Sequence, residues 1–150
     1  MKAISLWRPW DLFVLLRWKT IETRTHERFK GLVGTTIAIH SAKTVDPAWR
    51  TAAAAYLTPE MILQVQRLCL AGGMVHGIVD VRRHGLLCGS RSRASMIDCN
   101  EVSRFGLFLA NARTLREPIE IRGHQGIFNV SISLKEAADA TDKSNYTEVW

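Results

Sequence analysis

The chain has 150 residues, 47% hydrophobic and 23% charged, the length of one domain and the balance of an ordinary soluble globular protein. That composition excludes collagen-like, disordered and disulfide-framework classes, and no apolar run approaches the ~20 residues of a membrane-spanning helix. Twenty Lys and Arg against 14 Asp and Glu give a net charge of +6, which favours phosphate-rich partners through counterion release and Arg–phosphate pairing.

In chain order, residues 2–6 alternate as a short strand, and Pro9 suits the first turn of a helix bearing Trp10, Leu12, Phe13 and Leu16. Residues 21–25 form a second strand, rich in β-branched side chains, and residues 35–41 a third, with Ile37 and Ile39 on one face. Asp46-Pro47 and Thr58-Pro59 each set a capping side chain before a proline and open two helices. The first contains residues 52–55. The second carries Ile62, Val65, Leu68 and Cys69 on one stripe and stops at Gly72-Gly73.

Residues 74–83, 105–110 and 119–121 read as further strands. Phe128, Val130, Ile132 and Leu134 alternate with polar residues in a last one. Between them, residues 84–103 show neither helical nor strand period, and loops of that length are usually functional or mobile. About six short strands interrupted by helices indicate an α+β fold: a small, mixed or antiparallel β-barrel with helices on its flank. The expected domain covers residues 1–134, followed by a partly flexible tail at 135–150 with a short helix at 135–140. In that tail Lys135 and Lys143 face Glu136, Asp139, Asp142 and Glu148, so the basic excess belongs to the domain.

The densest apolar stretch near the start, residues 12–16, lies between Asp11 and Arg17 and lacks the form of a signal peptide. A cytoplasmic location without membrane partners is expected. Cys69, Cys88 and Cys99 have no metal-ligand spacing and read as buried free thiols. Neither a metal nor another cofactor is expected.

The densest chemistry is Trp18-Lys-Thr-Ile-Glu-Thr-Arg24. In extended chain, Glu22 and Arg24 share a face, and Lys19 arrives from the preceding turn. Such a group serves a site or a structural ion pair. Together with residues 2–10 (Lys-Ala-Ile-Ser-Leu-Trp-Arg-Pro-Trp), 37–43 and 117–128 (Glu-Pro-Ile-Glu-Ile-Arg-Gly-His-Gln-Gly-Ile-Phe), it resembles the activating signal cointegrator homology (ASCH) domain over most of residues 1–134. The Lys-x-x-Glu-x-Arg run is the most specific element.

The resemblance implies a barrel similar to the pseudouridine synthase and archaeosine transglycosylase (PUA) fold and a nucleic-acid-related role, commonly RNA binding. It also implies a cleft between the barrel and the first helix, lined by Lys19, Glu22 and Arg24, with Trp7 and Pro9 at its edge. Arg17 stands where glycine commonly precedes the lysine by two positions, and Phe128 where many relatives have tryptophan.

Other residues extend this candidate interface. His40 and Lys43 at a strand end suit a phosphate or a base edge, or a histidine satisfied beside the core. Arg82, Arg83, Arg91 and Arg93 form the strongest local charge excess, as a phosphate-wrapping segment or a solvated loop. The expected contacts with RNA or single-stranded nucleic acid are therefore Trp7, Arg17, Lys19, Arg24, His40, Lys43, Arg82, Arg91 and Arg93. A second class is a small hydrolase, a ribonuclease or a cytidine amidohydrolase-like enzyme, with Lys19 and Glu22 as catalytic residues. The amidohydrolases that resemble this family carry threonine where Glu22 stands, so Glu22 would act as a general base for water with Lys19 stabilising negative charge.

Overall fold

The computed structural model describes residues 1–68, 70–100 and 104–133; the tail and the helix expected at 135–140 lie outside the described residues. The elements are β1 (Lys2–Arg8), α1 (Trp10–Leu15), β2 (Ile21–Arg24), β3 (Thr36–Val45), α2 (Trp49–Ala52), α3 (Pro59–Leu68), β4 (Met74–Leu86), α4 (Ser92–Ser95), β5 (Phe105–Glu120) and β6 (Ile127–Asn129).

All six strands join one mixed sheet in the order β2-β5-β4-β3-β1-β6. β1 runs parallel to β3, and every other neighbouring pair is antiparallel. Among the described residues no ladder joins β6 back to β2, so the sheet is not a closed barrel. It coils nonetheless. The β4–β5 ladder shifts register at three places, and each such irregularity bends and twists its strands. Glu22 of β2 and Ile127 of β6, from the two edge strands, consequently line one cleft.

Alternation along the strands supplies two apolar faces. Ile4, Leu6, Ile37, Ile39, Val79, Val81, Leu107 and Leu109 pack with Val14 and Leu15 of α1, whereas Ala3, Ala38, Val75, Ile78 and Leu115 form the opposite cluster. The other side of α1 presents Leu12 and Phe13 to Trp49, Val65 and Met96. Phe13 is fully buried and touches the rings of Trp10, Trp18 and Trp49 at centroid distances of 5.4, 5.7 and 5.9 Å. Burying such a side chain contributes about 1.5–3 kcal/mol. Clamped between sheet and small helices, α1 fixes the turn that delivers Lys19, whose amide donates to the Phe13 carbonyl at 3.0 Å.

Several expectations change. Residues 105–110 and 119–120 belong to one 16-residue strand, β5, which ends before Ile121 and is carried past Asn111 (φ 51°) by a local irregularity. The helix after Asp46 is only α2, ending at Ala52. The Asp46 carboxylate does not cap a helix beginning at Pro47: it accepts from the Ala48 amide at 2.9 Å and from Trp10 Nε1 at 2.7 Å. The stretch expected to be irregular from residue 84 holds the end of β4 and then α4. The last strand is three residues long, with Val130 buried and Ile132 packed beyond it; Leu134 lies outside the described residues. Cys99 is buried as expected but Cys88 is exposed, and Cys69 lies outside the described residues.

Candidate functional site

Ile21 and Glu22 are both buried, on opposite faces of β2, and pairing of Ile21, Glu22, Thr23 and Arg24 with residues 105–108 of β5 locks that register. Glu22 and Arg24 then meet on one face, as the two-residue period requires, and form an ion pair through Arg24 Nη1 and Glu22 Oε1. Lys19 Nζ lies 3.5 Å from Glu22 Oε2 and donates to the Ser95 carbonyl at 2.6 Å. It also sits 5.3 Å from the centre of the Trp10 ring. Lys19 and Glu22 are 3% and 4% exposed, so they form a floor rather than a rim. Burial pushes the Lys19 ammonium below the ordinary lysine range, and the Glu22 carboxylate pulls it back up.

α4 closes this floor from behind. The Thr20 amide donates to the Ala94 carbonyl at 2.9 Å. Ser95 Oγ bonds within its own turn and to Cys99 Sγ at 3.2 Å. The segment therefore holds the lysine in place through backbone carbonyls.

The opposite wall follows from the parallel β1–β3 register, which sets Ser5 beside His40. Ser5 Oγ lies 2.9 Å from His40 Nδ1, and His40 Nε2 lies 2.9 Å from the Ile121 carbonyl. Ser5 Oγ also donates to the His124 carbonyl at 3.1 Å. Burial lowers the His40 pKa, opposed by the bond to Ile121, so His40 is a satisfied histidine pinning the loop before β6. Gly123 is required here: a Cβ on it would fall 2.2 Å from His40 Cε1.

Between these walls lies a cleft of about 1740 Å³. It brings together Trp7, Lys19, Glu22, Arg24, His40 and Lys43 of the expected residues, and adds His26, Arg28, Arg104, Arg122 and His124. Trp7 is 54% exposed, in contrast to Trp10 and Trp18, which pack into the helical cluster. The added residues come from long-range pairing. One signal was available for Arg122 and His124, since both lie inside the motif at residues 117–128.

Four expected residues lie elsewhere. Arg17 lines a separate hollow with Asn111 and Arg113 and donates from Nη2 to the Ala112 carbonyl at 3.0 Å. Its φ of 62° explains why glycine suits that position. Arg82 is paired with Asp80 at 3.1 Å. Arg83 and Arg91 lie 4.2 and 5.6 Å from the centre of the Phe108 ring, and Arg93 is exposed on α4. None of Arg17, Arg82, Arg91 and Arg93 lines the cleft.

No helix among the described residues is long and apolar enough to cross a membrane. No protein-family model matches the chain, and no curated protein matches it. Solved structures do. An ASCH protein from Zymomonas mobilis aligns with a TM-score of 0.52 at 12% identity over 92% of this chain and 91% of its own. Two single-residue variants of that protein align at 14% identity with the same TM-score, each over 91% of this chain and 90% and 92% of theirs. Topology and structural likeness thus agree with the motifs: the chain has the α+β fold of the ASCH proteins.

Proposed function

We propose that the cleft binds single-stranded RNA, or a nucleotide within it. The observation that carries this reading is the exposed Trp7 indole at a cleft whose nearby cations, Lys43 and Arg122, make no side-chain ion pair among the described residues. An indole offers a stacking platform worth about 1–3 kcal/mol per base, and uncommitted cations take phosphates. Lys19, Arg24 and Glu22 bind one another and shape the floor.

Fluorescence polarisation with labelled single-stranded RNA at rising salt tests the proposal, with single-stranded DNA of the same sequence as the comparison. Binding weakens with salt, and Trp7→Ala reduces affinity about 5- to 150-fold, the range set by one stacked base. Lys43→Ala and Arg122→Ala each flatten the log–log salt slope by about 0.7. Absent binding, or binding indifferent to salt, refutes it.

A second reading, hydrolysis of RNA or of a modified nucleoside, draws on the buried Lys19–Glu22 pair at the cleft floor, where desolvation lets the lysine ammonium give up its proton more readily than usual. Its test is product formation from RNA and from acylated cytidine. Turnover lost in Lys19→Ala and Glu22→Gln supports an enzyme; intact substrate with retained binding supports a binding module.

A further inference from the structure

We propose that the end of the cleft formed by His26, Arg28 and Arg104 seats a terminal phosphomonoester of the bound strand, an inference that rests on the nucleic-acid reading above. The β2–β5 ladder ends at the Arg24–Phe105 pair, so the chain leaves β2 alongside Arg104, and His26 and Arg28 follow within four residues. All three line the cleft.

The placement is firm. His26 stacks on Phe29 with ring centroids 5.3 Å apart and planes 12° from parallel, and the Arg24 guanidinium lies 5.1 Å from the centre of the same ring. Two nitrogens of this group, His26 Nδ1 and Arg104 Nε, are closed off from solvent without a hydrogen-bond partner among the described residues. Buried polar groups in native proteins are nearly always paired, and a specific exception points to a missing partner.

The carboxylates that line the cleft nearby are committed elsewhere. Glu22 binds Lys19 and Arg24, and Asp98 Oδ1 accepts from the Asn100 amide and from Asn100 Nδ2, each at 2.9 Å. Arg28 and Arg104 make no ion pair among the described residues. Two guanidinium groups without an acceptor among the described residues, beside an imidazole with an unpartnered nitrogen, match a group rich in acceptor oxygens and negative charge. A phosphomonoester offers three terminal oxygens and a charge near −2 at pH 7, whereas an internal phosphodiester offers two and −1. The chemistry is common to a 5′- and a 3′-phosphate, and the strand then runs from this seat towards Trp7.

The experiment compares three RNA oligonucleotides of one sequence, carrying a 5′-phosphate, a 3′-phosphate or hydroxyls at both ends, against the full chain. One phosphorylated form binds about tenfold more tightly than the hydroxyl form, the gain from one charge-assisted hydrogen bond, and identifies the terminus. Arg104→Gln and the solvent-exposed Arg28→Gln bring that ratio towards one. Equal affinity for all three oligonucleotides, or a preference that survives both substitutions, overturns the seat while leaving the nucleic-acid reading intact. If no oligonucleotide binds, titration with inorganic phosphate followed by the ¹⁵N resonances of the His26 ring decides: a saturable shift lost in Arg104→Gln upholds an anion seat without a nucleic-acid cleft, and no shift overturns it.

Discussion

Replacing Glu22 by glutamine keeps the shape of the cleft floor and removes the charge that offsets the buried Lys19 ammonium. At 3.5 Å between Lys19 Nζ and Glu22 Oε2, Coulomb attraction at an effective dielectric of ~20 is about 5 kcal/mol before solvation is counted. The glutamine carbonyl recovers part of this as a hydrogen bond. Stranding one member of a buried pair costs about 3–5 kcal/mol, so the expected loss is about 3 kcal/mol, or about 6–12 °C in Tm for a chain of this size.

The pH dependence has a definite sign. Lys19 in the folded state lies below its ordinary 10.5, so between the two values the unfolded chain holds more protons and stability rises with pH. Without Glu22 the folded-state value falls further and the window opens at lower pH, so the deficit of Glu22→Gln shrinks as pH rises from neutrality towards 10.5. Urea unfolding of wild type, Glu22→Gln and Lys19→Met/Glu22→Gln measures it, and the double variant recovers to within about 1 kcal/mol of wild type because the fully buried charge is gone and Arg24, whose side chain is 25% exposed, keeps access to water. A loss under about 1 kcal/mol, or a deficit indifferent to both pH and Lys19→Met, would refute the reasoning.

Two further substitutions probe backbone requirements. Arg17→Gly and Arg17→Ala lose the same side-chain bond to Ala112, but glycine also relieves the left-handed φ of 62°, so the glycine variant is more stable than the alanine variant by about 1 kcal/mol in thermal unfolding; equal stabilities would count against strain at this position. Gly123→Ala forces a methyl within 2.2–2.9 Å of His40 and Ser5 and costs about 1–3 kcal/mol. It also changes the ring resonances of His40, and an unperturbed ring would show that the loop yields instead.

The legible parts of the molecule were local ones. The alternation of residues 35–41 and 74–83 marked β3 and β4, and the spacing of Glu22 and Arg24 gave their ion pair, because a single strand's period decides both. β5 was divided in sequence into residues 105–110 and 119–121, yet its pairing with β4 on both sides of the gap joins them into one strand. The alanines at 52–55 suggested a longer helix, but only Ala53 among them is buried, and packing rather than propensity sets where α2 ends. Arg82, Arg91 and Arg93 stood out by local charge density, which says nothing of direction: Asp80 and Phe108 draw Arg82 and Arg91 to surfaces outside the cleft. Arg28 and Arg104 were silent because the β2–β5 pairing, between segments about 80 residues apart, brings them together.

The order of strands also bears on when the cleft comes into being during synthesis. β3, β4 and β5 are sequential neighbours that zip together as they emerge, but β2 must wait for residues 105–108 and β1 for residues 127–129 before either edge of the sheet is filled. Those late pairings set the two edge strands that border the cleft. A nascent chain stalled before β6 presents an unpaired β1 edge, open to association with another strand. The cleft therefore gains its Ile127 side only when β6 pairs with β1, the last step of sheet assembly.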